Sequence, residues 1–164
     1  MAIVVPLPPE EVKLAGEVAR HAELQNIRLR ECSIKIGDIS PKPKKDGTTT
    51  PLRLKLRSKT LRQKVERHVL IADVRFQTSI STSEKKNAPS VAHWSIVLRV
   101  EYELESSYTP SQKALKAFAG INALFNCWPY WREFCGNIIY RANLPPLILP
   151  LLHIVPELKK RKRR

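Results

Sequence analysis

Two runs of strict alternation constrain this chain more than any other feature of it. From Val69 to Ile80, Leu70, Ala72, Val74, Phe76, Thr78 and Ile80 hold one phase while Asp73, Arg75, Gln77 and Ser79 hold the other. After the polar stretch STSEKKNAPS the same period returns, with Trp94, Ile96, Leu98, Val100, Tyr102 and Leu104 set mostly against Arg99, Glu101, Glu103 and Glu105. A side-chain period of two belongs to a strand, and one apolar phase beside one polar phase belongs to a strand buried on a single face. The two runs predict an antiparallel pair with one dry face and one wet face.

Two further strands are predicted upstream. Between Asn26 and Ile36 the apolar phase runs through Ile27 and Leu29, then shifts to Cys32, Ile34 and Ile36, as a bulge near Glu31 would make it do. In PLRLKLRSK, Leu52, Leu54 and Leu56 alternate with Arg53, Lys55 and Arg57, giving a strand with a wet, basic face. SPKPKKDGTTT between them has loop composition.

Helical periods flank the strands. Pro9–Leu24 opens with proline and Glu10 and Glu11, and sets Val12, Ala15, Val18, Ala19 and Ala22 near a 3.6 period. After Tyr108, Thr109 is the expected N-cap and Pro110 the first helical residue, with Leu115, Phe118, Ala119, Asn122 and Phe125 along one stripe. Pro129 predicts a kink or restart near Cys127, beyond which Trp131, Phe134, Cys135, Ile138 and Ala142 share a face up to about Asn143.

Strands followed by helices predict an α+β domain, a four-stranded antiparallel sheet with helices packed on one face. The chain has 164 residues, enough for one domain with a sizeable core. The expected organisation is a single domain over 1–158. It comprises a helical segment at 1–24, four strands within 26–106, a kinked or paired helix at 109–143, and an apolar connecting loop and stub at 144–158. A basic tail, KKRKRR, follows at 159–164.

The sequence holds no phosphate-cradling GxxxxGK[ST] or GxGxxG, no HExxH and no GxSxG, so no enzyme and no cofactor is expected. Cys32, Cys127 and Cys135 lack CxxC spacing, and His21, His68, His93 and His153 are not placed to complete a metal site with them. They read as reduced cysteines of a cytoplasmic protein. MAIVVPLPPEE has no basic leader and meets prolines early, and the apolar run from Leu144 to Val155 is too short and too rich in proline to span a membrane. The formal net charge is +14, and such a surface attracts polyanions or acidic proteins.

The stretch WPYWREFCGNIIYRANLPPLILPLLHI, from Trp128 to Ile154, resembles the helix and helix-connecting loop of the SecB family of export chaperones. The likeness is carried by Trp128, Pro129, Tyr130, Arg132, Glu133, Arg141, Pro145, Leu147 and Leu149. The order of four strands then helix is similar as well. The resemblance implies an ATP-independent holdase, a dimer of dimers that binds unfolded polypeptides in apolar grooves. It places client contacts on the loop, at Leu144, Pro146, Leu147, Leu149, Leu151, Leu152 and Ile154, and on the sheet edge beside it. It places helix packing and oligomer contacts at Leu115, Phe118, Trp128, Tyr130, Trp131, Arg132 and Glu133, with Arg132 paired to a carboxylate. The residues alone leave open whether the loop meets clients or covers the domain's own core.

Arg53, Lys55, Arg57 and the KKRKRR tail depart from the acidic surface of the family member that serves the export motor. That charge argues against motor docking and favours relatives that guard antitoxins in toxin–antitoxin–chaperone modules. The same basic face and tail support a rival of another class, a nucleic-acid-binding module. Against it, the aromatics fall on core phases and do not interleave with the basic residues, so no stacking platform is formed.

Overall fold

The computed structural model describes residues 2–37, 53–81, 90–144, 146 and 149–156. In chain order the elements are β1 (Ala2–Leu7), α1 (Pro9–Ala19), β2 (Ala22–Ile36), β3 (Arg53–Glu66), β4 (Val69–Ser81), β5 (Ala92–Leu104), α2 (Gln112–Phe118), a π-helical turn (Ala119–Ala123), α3 (Leu124–Arg141) and β6 (Leu151–Pro156).

The expected four-stranded antiparallel sheet is present, in the order β2-β5-β4-β3. β4 and β5 pair in a register that sets Val74 against Leu98 and Phe76 against Ile96, so their apolar phases share one face. The bulge expected near Glu31 falls between Leu29 and Glu31, and a second one between Leu24 and Asn26. β3 and β4 are joined by Arg67 and His68, both with positive φ, the two-residue turn whose twist suits a hairpin.

α2, the π turn and α3 lie over β3, β4 and β5 on the apolar face. Between the layers, Trp131 stacks on Phe76 at 5.4 Å, Trp128 tilts against Trp131 at 4.7 Å, and Phe118 meets the edge of Tyr102 at 4.8 Å. The polar ends of these rings are mostly satisfied: Trp94 Nε1 donates to Cys135 Sγ at 3.1 Å, and Asn126 Nδ2 to Tyr102 Oη at 2.9 Å. Burying one such ring is worth several kcal/mol, on the order of 3–5 by the cost of truncating it.

Several boundaries differ from those expected. α2 is capped by Ser111, whose Oγ accepts from the Ala114 amide at 3.2 Å, so Thr109 and Pro110 stay outside the helix. The irregular turn lies at Ala119–Ala123 and not at Cys127, and α3 runs through Pro129 without a break. α3 ends as predicted near Asn143, which adopts positive φ; the Leu144 and Asn143 amides then bond the Ile139 and Tyr140 carbonyls. The N-terminal segment is not wholly helical. β1 precedes α1, which stops at Ala19, and β1 pairs in parallel with β6, Ala2 against Leu151 and Leu7 against Pro156. The segment expected to be a loop and stub at 144–158 therefore contains a strand. The basic tail at 159–164 and the loop after Pro41 lie outside the described residues.

On the polar face of the sheet, Arg99 donates to both carboxylate oxygens of Asp73, at 2.8 and 2.9 Å, and Arg62 approaches at 3.4 Å. The Arg99 hydrogen bonds hold Asp73 below its ordinary carboxyl value of 3.8. The folded chain thus binds fewer protons than the unfolded chain here. The stabilisation is complete above the ordinary value and is lost as pH falls through the folded one. Asp73→Asn is expected to cost about 1–3 kcal/mol at pH 7. The gap in melting temperature between parent and variant should narrow as pH falls below 3.8; a gap that does not narrow on acidification would rule this out.

Candidate functional site

β2 is an edge strand of 15 residues. Its register with β5 sets Leu24 opposite Tyr102, Leu29 opposite Leu98, Cys32 opposite Ile96, Ile34 opposite Trp94 and Ile36 opposite Ala92. All therefore stand on the face that carries the core. Yet Leu24 is 43% exposed, Leu29 51%, Ile34 46% and Ile36 42%, while each β5 neighbour is buried. The step from dry to wet occurs across a single interstrand spacing of about 4.8 Å. Its cause is the reach of the helix layer, which covers β3, β4 and β5 and leaves most of β2 bare. The result is an open apolar shelf along the sheet edge, of the kind that marks an interaction surface.

The connecting segment has another role. Leu144, Leu149 and Leu152 are buried in the domain's own core, and Trp128 Nε1 donates to the Pro150 carbonyl at 3.1 Å, tying the segment back onto α3. These three leucines were expected to meet clients; their burial corrects that reading. Pro146 and Leu151 are exposed. Leu147 lies outside the described residues, and Ile154 is placed only by its backbone, paired with Val5.

A similar correction applies to the helices. Of the residues expected at helix packing or oligomer contacts, Leu115, Phe118, Trp128 and Trp131 are buried where the helices pack on the sheet, which leaves them unavailable for an oligomer contact; Tyr130 and Glu133 are exposed. Arg132 makes no ion pair among the described residues, and its Nε is buried without a hydrogen-bond partner, so the expected carboxylate partner is not found among those residues. The large exposed side chains of α3 are Phe125, Tyr130 and Tyr140, the last at 86%.

The two buried thiols do not suit nucleophilic chemistry. Burial pushes Cys127 up to about 12, and it raises Cys135 as well, so both stay protonated near neutrality. Cys135 Sγ is held in the core by Trp94 and lies 3.7 Å from Thr78 Oγ1.

On the outer face of the sheet charge is distributed unevenly. Toward one end acids and bases are paired: Arg28 with Glu101, Arg99 with Asp73, and Gln25 bonded to Glu103. Arg75 reaches over buried Val97 to Glu31 at 3.2 Å. Toward the other end Lys55, Arg57 and Lys59 of β3 are exposed and have no ion pair among the described residues. Arg53 sits in register with Ser81. Phe, Tyr and Trp of the described strands all stand on the other face.

Neither a family model nor a curated protein matches the chain. Among solved structures it is similar to the Mycobacterium tuberculosis Rv1957 SecB-like chaperone in complex with a ChAD peptide from the Rv1956 HigA1 antitoxin. The TM-score is 0.69 at 20% identity, over 85% of this chain and 96% of that one. The fold is SecB-like. The likeness covers sheet and helices together, so the SecB-like architecture extends well beyond the Trp128–Ile154 stretch that first suggested it. The β2 shelf was partly legible: Leu29, Cys32, Ile34 and Ile36 had a visible apolar phase, but whether a helix covers that phase is a tertiary matter.

Proposed function

We propose that this protein is an ATP-independent chaperone of the cytoplasm that holds unfolded or partly folded client segments. The observation that carries the proposal is the bare apolar shelf of β2, Leu24, Leu29, Ile34 and Ile36, on a SecB-like fold. Contacts of this kind are individually weak and numerous, which suits release without nucleotide. The exposed Pro146 and Leu151 extend the client surface at the connecting segment. The similar Rv1957 chaperone is seen with an antitoxin peptide, and the basic β3 face of this chain suits an acidic partner; both favour an antitoxin-type client over the export motor. The test is suppression of light scattering from a heat-denatured client, in the absence of nucleotide. Lack of protection at a severalfold molar excess would sink the proposal.

Self-association accompanies this reading. The outward aromatics of α3, Phe125, Tyr130 and Tyr140, are the type enriched at the centres of protein interfaces, and Arg132 beside them has an unmet donor. A homo-oligomer, a dimer or a dimer of dimers, would cover them. Tyr130→Ala combined with Tyr140→Ala is expected to shift the light-scattering mass of the oligomer toward the 18.8 kDa of one chain. A parent protein that is already monomeric at micromolar concentration would overturn this.

A further inference from the structure

The two edges of the sheet, β2 and β3, are chemically different, and the difference specifies what each can accept. Among the described residues β3 has one strand neighbour, β4, so its other side presents backbone donors and acceptors. Thr60 Oγ1 donates to the Ala119 carbonyl at 3.1 Å, which marks where the helix layer meets this edge. Upstream of that point, residues 54–59 form an open stretch of about 20 Å at the rise of a strand. Its side chains fall in two rows. Lys55, Arg57 and Lys59 are exposed on the outer face, and Leu54 and Leu56 are half-buried on the inner one.

We propose that this edge takes an added strand from a client, an extended segment that alternates acidic and apolar residues. The proposal rests on the chaperone reading and names a class of segment for it. A strand added to an edge gains affinity from main-chain hydrogen bonds and selectivity from alternate side chains. Opposite this stretch, one phase of the incoming strand meets three cations that have no ion pair among the described residues, and the other phase meets two leucines. Arg75, the nearest cation on β4, is already engaged by Glu31, so no carboxylate of the described sheet neutralises this row. A second copy of β3 is excluded by the same charges, since antiparallel self-pairing sets cation against cation. Nucleic acid fits less well, because the leucine row and the edge amides would find no partner on a phosphate backbone and, among the described strand residues, the outer face offers no Phe, Tyr or Trp for stacking.

The experiment is fluorescence anisotropy on the full chain with four labelled probes: a nonapeptide alternating Val and Glu, one alternating Val and Lys, a single-stranded DNA oligonucleotide and its duplex. The parent should bind the Val–Glu peptide about tenfold or more tighter than the Val–Lys peptide. The variant carrying Lys55→Glu and Arg57→Glu should reverse that preference, and Arg57→Glu alone should reduce it. Equal binding of the two peptides by the parent overturns the proposal whether or not the variants fold. So does tighter binding of either DNA than of the Val–Glu peptide, with the preference abolished in the variants. The same samples are scored for protection of a heat-denatured client. Protection without peptide preference removes the β3 proposal alone, whereas loss of protection by the parent removes the chaperone reading as well.

Discussion

Replacing Leu149 and Leu152 together by alanine is expected to lower the melting temperature of this protein by at least about 10 °C. Both are buried in the core, and both lie beside the carbonyl of Pro150 that Trp128 holds. Truncating a buried leucine costs about 2–5 kcal/mol through lost transfer energy and the cavity left behind. Two such losses approach the total stability of a domain, about 5–15 kcal/mol, although neighbouring sites need not add. Thermal melting followed by circular dichroism checks this. A double variant that melts within about 3 °C of the parent would return the segment to the role of an exposed loop.

The second large effect is the opposite in kind. Leu29→Ser with Ile34→Ser, on the open shelf of β2, should leave the melting temperature within a few degrees of the parent, because both side chains are about half exposed before any client arrives. Client protection should fall steeply. Each leucine or isoleucine fully buried under a client is worth roughly 1.5–3 kcal/mol, and about 1.4 kcal/mol corresponds to tenfold in affinity. Even after ordering costs, the amount of chaperone needed for half-protection should rise at least about tenfold. Unchanged protection by a folded variant would move the client surface away from β2.

These two variants separate what could be read in the residues from what could not. Alternation located β4 and β5 almost to the residue, because a strand buried on one face records that burial in every second position. The change of phase after Leu29 located a bulge for the same reason. β1 and β6 left no such record. Each is six residues long and apolar without a clear period, with Pro6 inside β1, Pro150 directly before β6 and Pro156 at its end; their pairing joins segments far apart in the chain. The leucines of the connecting segment had the right composition for either a client surface or a core, and composition does not say which side a side chain turns to. Trp131 was likewise visible on a helix face with Phe134, Cys135 and Ile138, but the facing Phe76, which fills the space between layers, belongs to another element. The shelf was the reverse case: its apolar phase was legible while the absence of a covering helix was not.

The parallel pairing of β1 with β6 has a consequence for how the chain is made. β1 leaves the ribosome ahead of the four-stranded sheet, and its partner leaves about 150 residues after it, on the order of 10–30 s later at usual elongation rates. Until then the first strand has no mate, and the antiparallel sheet, whose hairpins close locally, is free to form ahead of it. The ribbon is then the last seam to close, while α1, which directly follows β1, packs mainly against α2. A nascent chain of this protein would pass through a stage in which the apolar strands of this ribbon are unprotected, and under the proposed function it would then itself offer the kind of segment it holds.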